Sequence, residues 1–205
     1  MKKFLKTLIL AVVLVSMTGC AVFESLFGEA KEKLVGVGFT IETYDNYGEL
    51  TMTTVGENIS LAGNRTKELI VTDSGYGHKY ELSSVITITI DGKEMESCGD
   101  TLIFAEKGLE KIVDFTNPHE IISTNPENEG TFTSYVANRY RNLFGKSRVV
   151  IIKSQMGQPL CAYQGDEVYW EVCERLPKTT RLFIDGKAMY IHRANFQIID
   201  ASLLD

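Results

Sequence analysis

Between residues 39 and 199 apolar and polar positions mostly alternate in short runs, the period of strands that turn one face to a core. Phe39-Thr40-Ile41-Glu42-Thr43-Tyr44 leads into the turn-rich Asp45-Asn46-Tyr47-Gly48, and Glu49 to Val55 leads away from it, so a strand, a loop and a strand are predicted. Asn58 to Leu61 reads as a third strand. Lys79 to Ile90 carries the clearest alternation, with Tyr80, Leu82, Ser84, Ile86, Ile88 and Ile90 on one face and Val85, Thr87 and Thr89 on the other. Asp91-Gly92 ends it in a predicted type I′ turn, which needs positive φ at both central residues. Residues 101–105 and 111–115 are shorter strands. Further strands are predicted at 148–153, 160–163, 168–173, 181–184, 188–192 and 196–199, with turns at Met156-Gly157-Gln158-Pro159, Gln164-Gly165-Asp166 and Asp185-Gly186.

Two segments depart from that rhythm with helical spacing. Phe23, Leu26, Phe27, Ala30 and Leu34 recur at i, i+3, i+4, i+7 and i+11, predicting a short helix from Ala21 to Lys33 about 20 Å long. Its apolar stripe suits either the lipid headgroup layer or the surface of the domain. Residues 116–130, with Asn117-Pro118 and Asn125-Pro126, form a long loop. After it, Phe132, Tyr135, Val136, Arg139, Tyr140, Leu143 and Phe144 mark an amphipathic helix stopped by Gly145. The fold class expected is mainly β (α+β): antiparallel sheets forming a sandwich or a partly closed barrel, with one packed amphipathic helix. One internal echo stands out, because Ile90-Asp91-Gly92-Lys93-Glu94-Met95 and Ile184-Asp185-Gly186-Lys187-Ala188-Met189 match at five of six positions. Two independent hairpins with the same turn chemistry explain it more simply than duplicated half-domains.

The N-terminus changes the picture. Lys2, Lys3 and Lys6 form a basic head, Leu8 to Val15 an apolar run too short to span a bilayer, and Ser16-Met17-Thr18-Gly19-Cys20 a small-residue site ending in cysteine. This is the pattern of an export signal with a lipobox, and the chemistry it implies is a diacylglyceryl thioether on Cys20 and cleavage between Gly19 and Cys20. Two acyl chains hold firmly where one holds marginally. Three parts are therefore expected: residues 1–19 as signal peptide, 20–35 as lipidated N-terminus and short juxtamembrane segment, and 36–205 as a globular β-rich domain. The expected location is the extracytoplasmic face of the cell membrane.

Loss of Lys2, Lys3 and Lys6 with no acid takes the formal charge from −6 to −9, which disfavours nucleic acid as a partner. Cys98, Cys161 and Cys173 remain, an odd number; a Cys161–Cys173 disulfide is one reading, and three buried thiols the preferred one. His78, His119 and His192 are too scattered to suggest a metal site, and no motif for a nucleophilic serine, a zinc pair or a phosphate loop occurs. The acidic turns Asp45-Asn46 with Glu49, and Glu127-Asn128-Glu129, lack the spacing of a calcium loop. No cofactor or metal is expected. The sharpest catalytic alternative is a cell-envelope hydrolase with Cys161 as nucleophile and His192 as base, although Cys161 lies in a predicted strand without the helix that would lower its pKa. Arg139, Arg141, Lys146 and Arg148 form the one basic concentration, and Tyr163, Tyr169 and Trp170 are candidate groove residues that strand packing would equally explain.

The lipobox, the short apolar helix and Phe39-Thr40-Ile41-Glu42-Thr43-Tyr44-Asp45-Asn46-Tyr47-Gly48 together resemble a group of uncharacterised lipoproteins of Gram-positive bacteria that share a domain of unknown function. The resemblance implies a single-membrane cell, a protein facing the wall, and no catalytic residues. The expected role is a non-enzymatic binding or structural module that meets membrane lipid through Cys20 and a protein, glycan or lipid partner through its domain.

Overall fold

The computed structural model describes residues 31–34, 38–73, 75–116 and 147–204, and these form antiparallel strands in three sheets. Sheet 1 has the order β1-β4-β5-β6, from Lys31–Leu34, Ile59–Thr72, Gly75–Ile90 and Lys93–Ser97. Sheet 2 has six strands in the order β11-β12-β13-β7-β2-β3: Val168–Val172, Thr179–Ile184, Lys187–His192, Thr101–Glu106, Phe39–Tyr44 and Leu50–Gly56. Sheet 3 is β14-β9-β10-β8: Asn195–Asp200, Arg148–Lys153, Pro159–Gly165 and Val113–Asp114. Among the described residues no sheet closes on itself, so of the two architectures the alternation allows, the stacked one is formed.

Sheet 2 is the middle layer. One of its faces gives Phe39, Ile41, Leu102, Phe104 and Tyr190 to a core shared with Ile59, Leu61, Ile86 and Ile88 of sheet 1. The other gives Tyr44, Ile103, Leu182, Ile184, Met189 and Ile191 to a core shared with Val150, Ile152, Leu160, Cys161 and Tyr163 of sheet 3. Strand β7 is buried on both faces, which explains why Leu102-Ile103-Phe104 is continuously apolar instead of alternating. A smaller cluster of Val113, Val149, Ile151 and Ala162 lies on the other face of sheet 3. Strands β8 and β9 are both antiparallel to β10 and so parallel to each other. The amphipathic helix predicted at 132–144 falls between them in the chain and lies outside the described residues, as do residues 1–30 with the greater part of the first predicted helix.

The internal echo is part of a repeat of the whole strand plan, which corrects the reading of two independent hairpins. In the first half β2 and β3 form a hairpin, β4-β5-β6 a meander in another sheet, and β7 returns to pair with β2. In the second half β9 and β10 form the hairpin, β11-β12-β13 the meander, and β14 returns to pair with β9. Counterparts keep an offset of 109 residues through the first hairpin and into the meander, as with Gly48 and Gly157 or Gly56 and Gly165. Beyond the meander's outer turn the offset is 94, as with Asp91 and Asp185.

Local bonding repeats as well. Asp45 N–H donates to Glu49 O as Ser154 N–H does to Gln158 O, and Asp91 N–H donates to Asn58 O as Asp185 N–H does to Glu167 O. Both Asp-Gly turns have positive φ at both residues, 48° and 81° in one and 48° and 79° in the other, as type I′ requires. Each aspartate also accepts backbone N–H bonds across the hairpin ends: Asp91 from Asn58 at 2.8 Å, and Asp185 from Asp166 and Glu167 at 2.8 and 2.9 Å.

The fall in offset from 109 to 94 has one source. Residues 64–84 of the first half stand where residues 173–178 stand in the second, and the extra 15 residues extend β4 and β5 into a two-stranded arm. Pairing with β1 stops at Ala62 and pairing with β6 stops at Ile86, so among the described residues no strand flanks the arm beyond them. That corrects the predicted face of β5: Ile86 and Ile88 are buried, while Tyr80 and Leu82, of the same parity, are exposed because among the described residues no sheet lies opposite them. It also extends the third predicted strand from Leu61 to Thr72. Lys31–Leu34 is a third correction, a strand paired with β4 where the periodicity predicts the last turn of a helix.

Candidate functional site

Glu42 and Tyr44 point from β2 toward sheet 3, and the chain just before β8 sets Lys111 against them. The Lys111 ammonium lies 2.6 Å from Glu42 Oε1 and 2.8 Å from Asp114 Oδ2, and the Tyr44 hydroxyl donates to Glu42 Oε2 at 2.7 Å. Asp114 Oδ1 accepts from the Thr116 hydroxyl at 2.6 Å and from its N–H at 3.0 Å. Burial works against charge at both Lys111 and Asp114. The ion pairs and hydrogen bonds outweigh it, so the lysine pKa lies above its usual value and the aspartate's below. Burial pushes the Tyr44 hydroxyl upward, which keeps it a donor. One ammonium is shared by two carboxylates, so each charged group has an oppositely charged neighbour although the cluster keeps a net charge of −1, and the contacts tie sheet 2 to sheet 3 as a clamp.

Cys161 sits beside this cluster, fully buried on β10, and burial drives its thiol pKa far above the ordinary value. His192 is on β13, whose Met189 and Ile191 turn toward Cys161, so by alternation His192 points through the opposite face of sheet 2. Thr179 Oγ1 lies 3.0 Å from Pro177 O and 2.9 Å from His192 Nδ1, so the imidazole is held by polar contact on its Nδ1 side. Burial, then the nearby Arg193, lowers the His192 pKa to about 4. The structure therefore does not bring Cys161 and His192 together. Nor does it join Cys161 to Cys173: among the described residues no disulfide forms, and the two thiols lie in different cores. The third thiol departs from the expected burial, since Cys98 is exposed in the turn before β7.

Of the candidate groove residues, Tyr163 is core, whereas Tyr169 and Trp170 are half-exposed on opposite faces of β11, the edge of sheet 2. Tyr169 stacks on Phe183 with ring centres 4.6 Å apart, and Arg181 lies over the same ring while pairing with Glu171. The Asp45 turn is closed by its own backbone, since Asp45 Oδ1 accepts from Tyr47 and Glu49 N–H. Among the described residues no group of three His, Cys, Asp or Glu side chains could hold a metal, and no helix is long and apolar enough to cross a membrane. Cys20, Gly19 and the basic residues Arg139, Arg141 and Lys146 lie outside the described residues, and Arg148 is an exposed residue at the start of β9.

Sequence reasoning missed the arm. Its exposed apolar side chains include Val71 at 82 % and Tyr76 at 81 % exposure, with Leu69 and Tyr80 also mostly uncovered. A signal for it exists in the change of spacing between the two echoing segments, once Gly56 and Gly165 are aligned as well as the Asp-Gly turns.

No curated protein and no solved structure matches the chain. The model of one family, described as Domain of unknown function (DUF5052), matches residues 2–204, nearly the whole sequence. The chain, a twofold repeat of one strand plan with an arm in its first half, belongs to that family of unknown function.

Proposed function

We propose that the chain is a lipoprotein held by diacylglycerol on Cys20 at the extracytoplasmic face of the membrane, and that its β domain is a non-enzymatic binding module. The anchor rests on the basic head, the short apolar run and the Thr18-Gly19-Cys20 site. The binding role rests on one observation above the others. The two most exposed large apolar side chains among the described residues, Val71 and Tyr76, lie together on the arm with Leu69 and Tyr80, and Tyr169, Trp170 and Val172 form a second group on the β11 edge, while Tyr47, Val55, Met156 and Leu203 are exposed elsewhere. Exposed apolar surface concentrated on a projecting element is the usual mark of an interaction site. Edge strands can also accept an added strand from a partner.

The anchor is tested by metabolic labelling with a fatty-acid analogue and fractionation of cells. The chain should carry the label and pellet with membranes, and Cys20→Ala should lose both. Undiminished labelling of Cys20→Ala would contradict the reading.

A further inference from the structure

The arm has two unlike faces. Directly opposed residues of an antiparallel pair share a face, so the register places Arg65 with Leu82, Lys67 with Tyr80, Leu69 with His78 and Val71 with Tyr76 on one side. Thr66 with Glu81, and Glu68 with Lys79, lie on the other, where Lys79 pairs with Glu81. All acids of the paired strands beyond Gly63 are thus on the second face. The first is apolar and aromatic toward the tip and cationic toward the root, in a chain whose net charge is −6.

Two further observations bear on what this face meets. Strand β1 runs antiparallel to β4 with Lys31 opposite Ala62, so the chain coming from Cys20 enters sheet 1 at the root of the arm. Eleven residues from Cys20 to Lys31 reach at most about 38 Å, and the arm from Arg65 to Thr72 is about 25 Å long. The tip and the anchor can therefore touch one bilayer. The root is also fixed, because a Cβ at Gly63 would lie 2.3 Å from Arg175 O and 3.3 Å from Pro177 Cδ. The arm leaves the domain where the loop between β11 and β12 backs it. The second half of the chain closes the same position with residues 173–178 alone, so the fold does not need the arm.

We propose that the arm is a membrane-contacting element: its Val71, Tyr76 and Tyr80 side chains enter the headgroup layer while Arg65 and Lys67 meet anionic lipid. This rests on the anchored reading for its location, and charge complementarity supplies the choice of surface. Tyrosine suits the interface because one end of the ring is apolar and the other wet. Basic residues near the surface draw anionic headgroups, each strengthening contact by roughly fivefold. Fixing the domain by both anchor and arm sets its orientation on the bilayer.

The test uses the full chain in vesicles with Tyr76→Trp in a Trp170→Phe background, so that the introduced indole reports the tip. With vesicles of three parts phosphatidylglycerol to seven of phosphatidylcholine, its emission should shift to shorter wavelength and be quenched by acyl-brominated lipid. Phosphatidylcholine alone should abolish both effects, as should Arg65→Gln with Lys67→Gln. A chain that floats with the anionic vesicles while its indole keeps the emission seen in water overturns the arm and leaves the anchor standing. An indole that shifts only when a polyanionic wall polymer is added overturns the membrane contact in favour of that polymer. If mass analysis finds Cys20 unlipidated, the anchor reading fails, and the indole with added vesicles still decides the arm.

Discussion

Lys111→Met isolates the clamp between sheets 2 and 3. In the native protein the ammonium is shared by Glu42 and Asp114, whose side chains are 14 % and 29 % exposed, with Lys111 itself at 16 %. Methionine keeps most of the aliphatic volume, so the loss is electrostatic. Removing one partner of a buried ion pair costs about 3–5 kcal/mol because the other charge is stranded, and the partial exposure here lowers the expectation to about 2–3 kcal/mol. Neutralising the whole cluster with Glu42→Gln, Asp114→Asn and Lys111→Met should restore most of that, since no charge is left without a partner. The sign of the pH effect follows from Asp114, whose pKa is lowered in the folded protein. Its stabilisation is present above the unfolded value near 4 and is lost as pH falls through the lower folded value. The gap between Lys111→Met and the parent should therefore narrow at acid pH. Urea unfolding followed by Trp170 emission measures all of these. A Lys111→Met midpoint equal to the parent's at pH 7, or a gap that widens on acidification, would refute the clamp.

His192, held neutral with its pKa lowered to about 4, should oppose acid stability. Unfolded histidine takes up its proton near pH 6.5, so stability is lost from there down to about pH 4 by roughly 3 kcal/mol at most, and His192→Gln should flatten that part of the parent's pH profile. Iodoacetamide at neutral pH should modify Cys98 quickly and Cys161 and Cys173 only on unfolding; rapid, selective alkylation of Cys161 in the folded protein, slowed by His192→Ala, would revive the hydrolase alternative. Replacing residues 64–84 by the sequence of residues 173–178 should leave a cooperatively folded domain with an unchanged near-ultraviolet spectrum. Loss of that spectrum would show that the arm is part of the core.

Strand positions were legible because most strands have one face in a core and so keep a period of two, as Phe39 and Ile41 do against Thr40 and Glu42. Strand ends were less so. Tyr80, Leu82, Ile86 and Ile88 look alike in sequence, and only the reach of sheet 2, which packs on Ile86 and Ile88, separates the buried pair from the exposed one. The Asp-Gly turns were readable in type because their positive φ restricts the residues that fit. That they belong to a repeat was not readable, because the two halves share strand order and turn geometry while packing solves each face with different side chains, such as Ile59 against Val168. The charged cluster at Lys111 joins residues 42, 44, 111 and 114, which no short-range pattern connects. The Cys161–His192 pairing rested on the order of the two residues along the chain. The side to which each points depends on strand parity in two different sheets, which spacing along one chain does not reveal.

Anchoring through Cys20 is tested most directly by the state of the N-terminus in the cell. Mass spectrometry of the protein extracted from the membrane fraction should find a chain that begins at Cys20, lacks residues 1–19 and carries diacylglycerol on the thiol. A membrane fraction in which residues 1–19 are still attached and Cys20 is unmodified would contradict it.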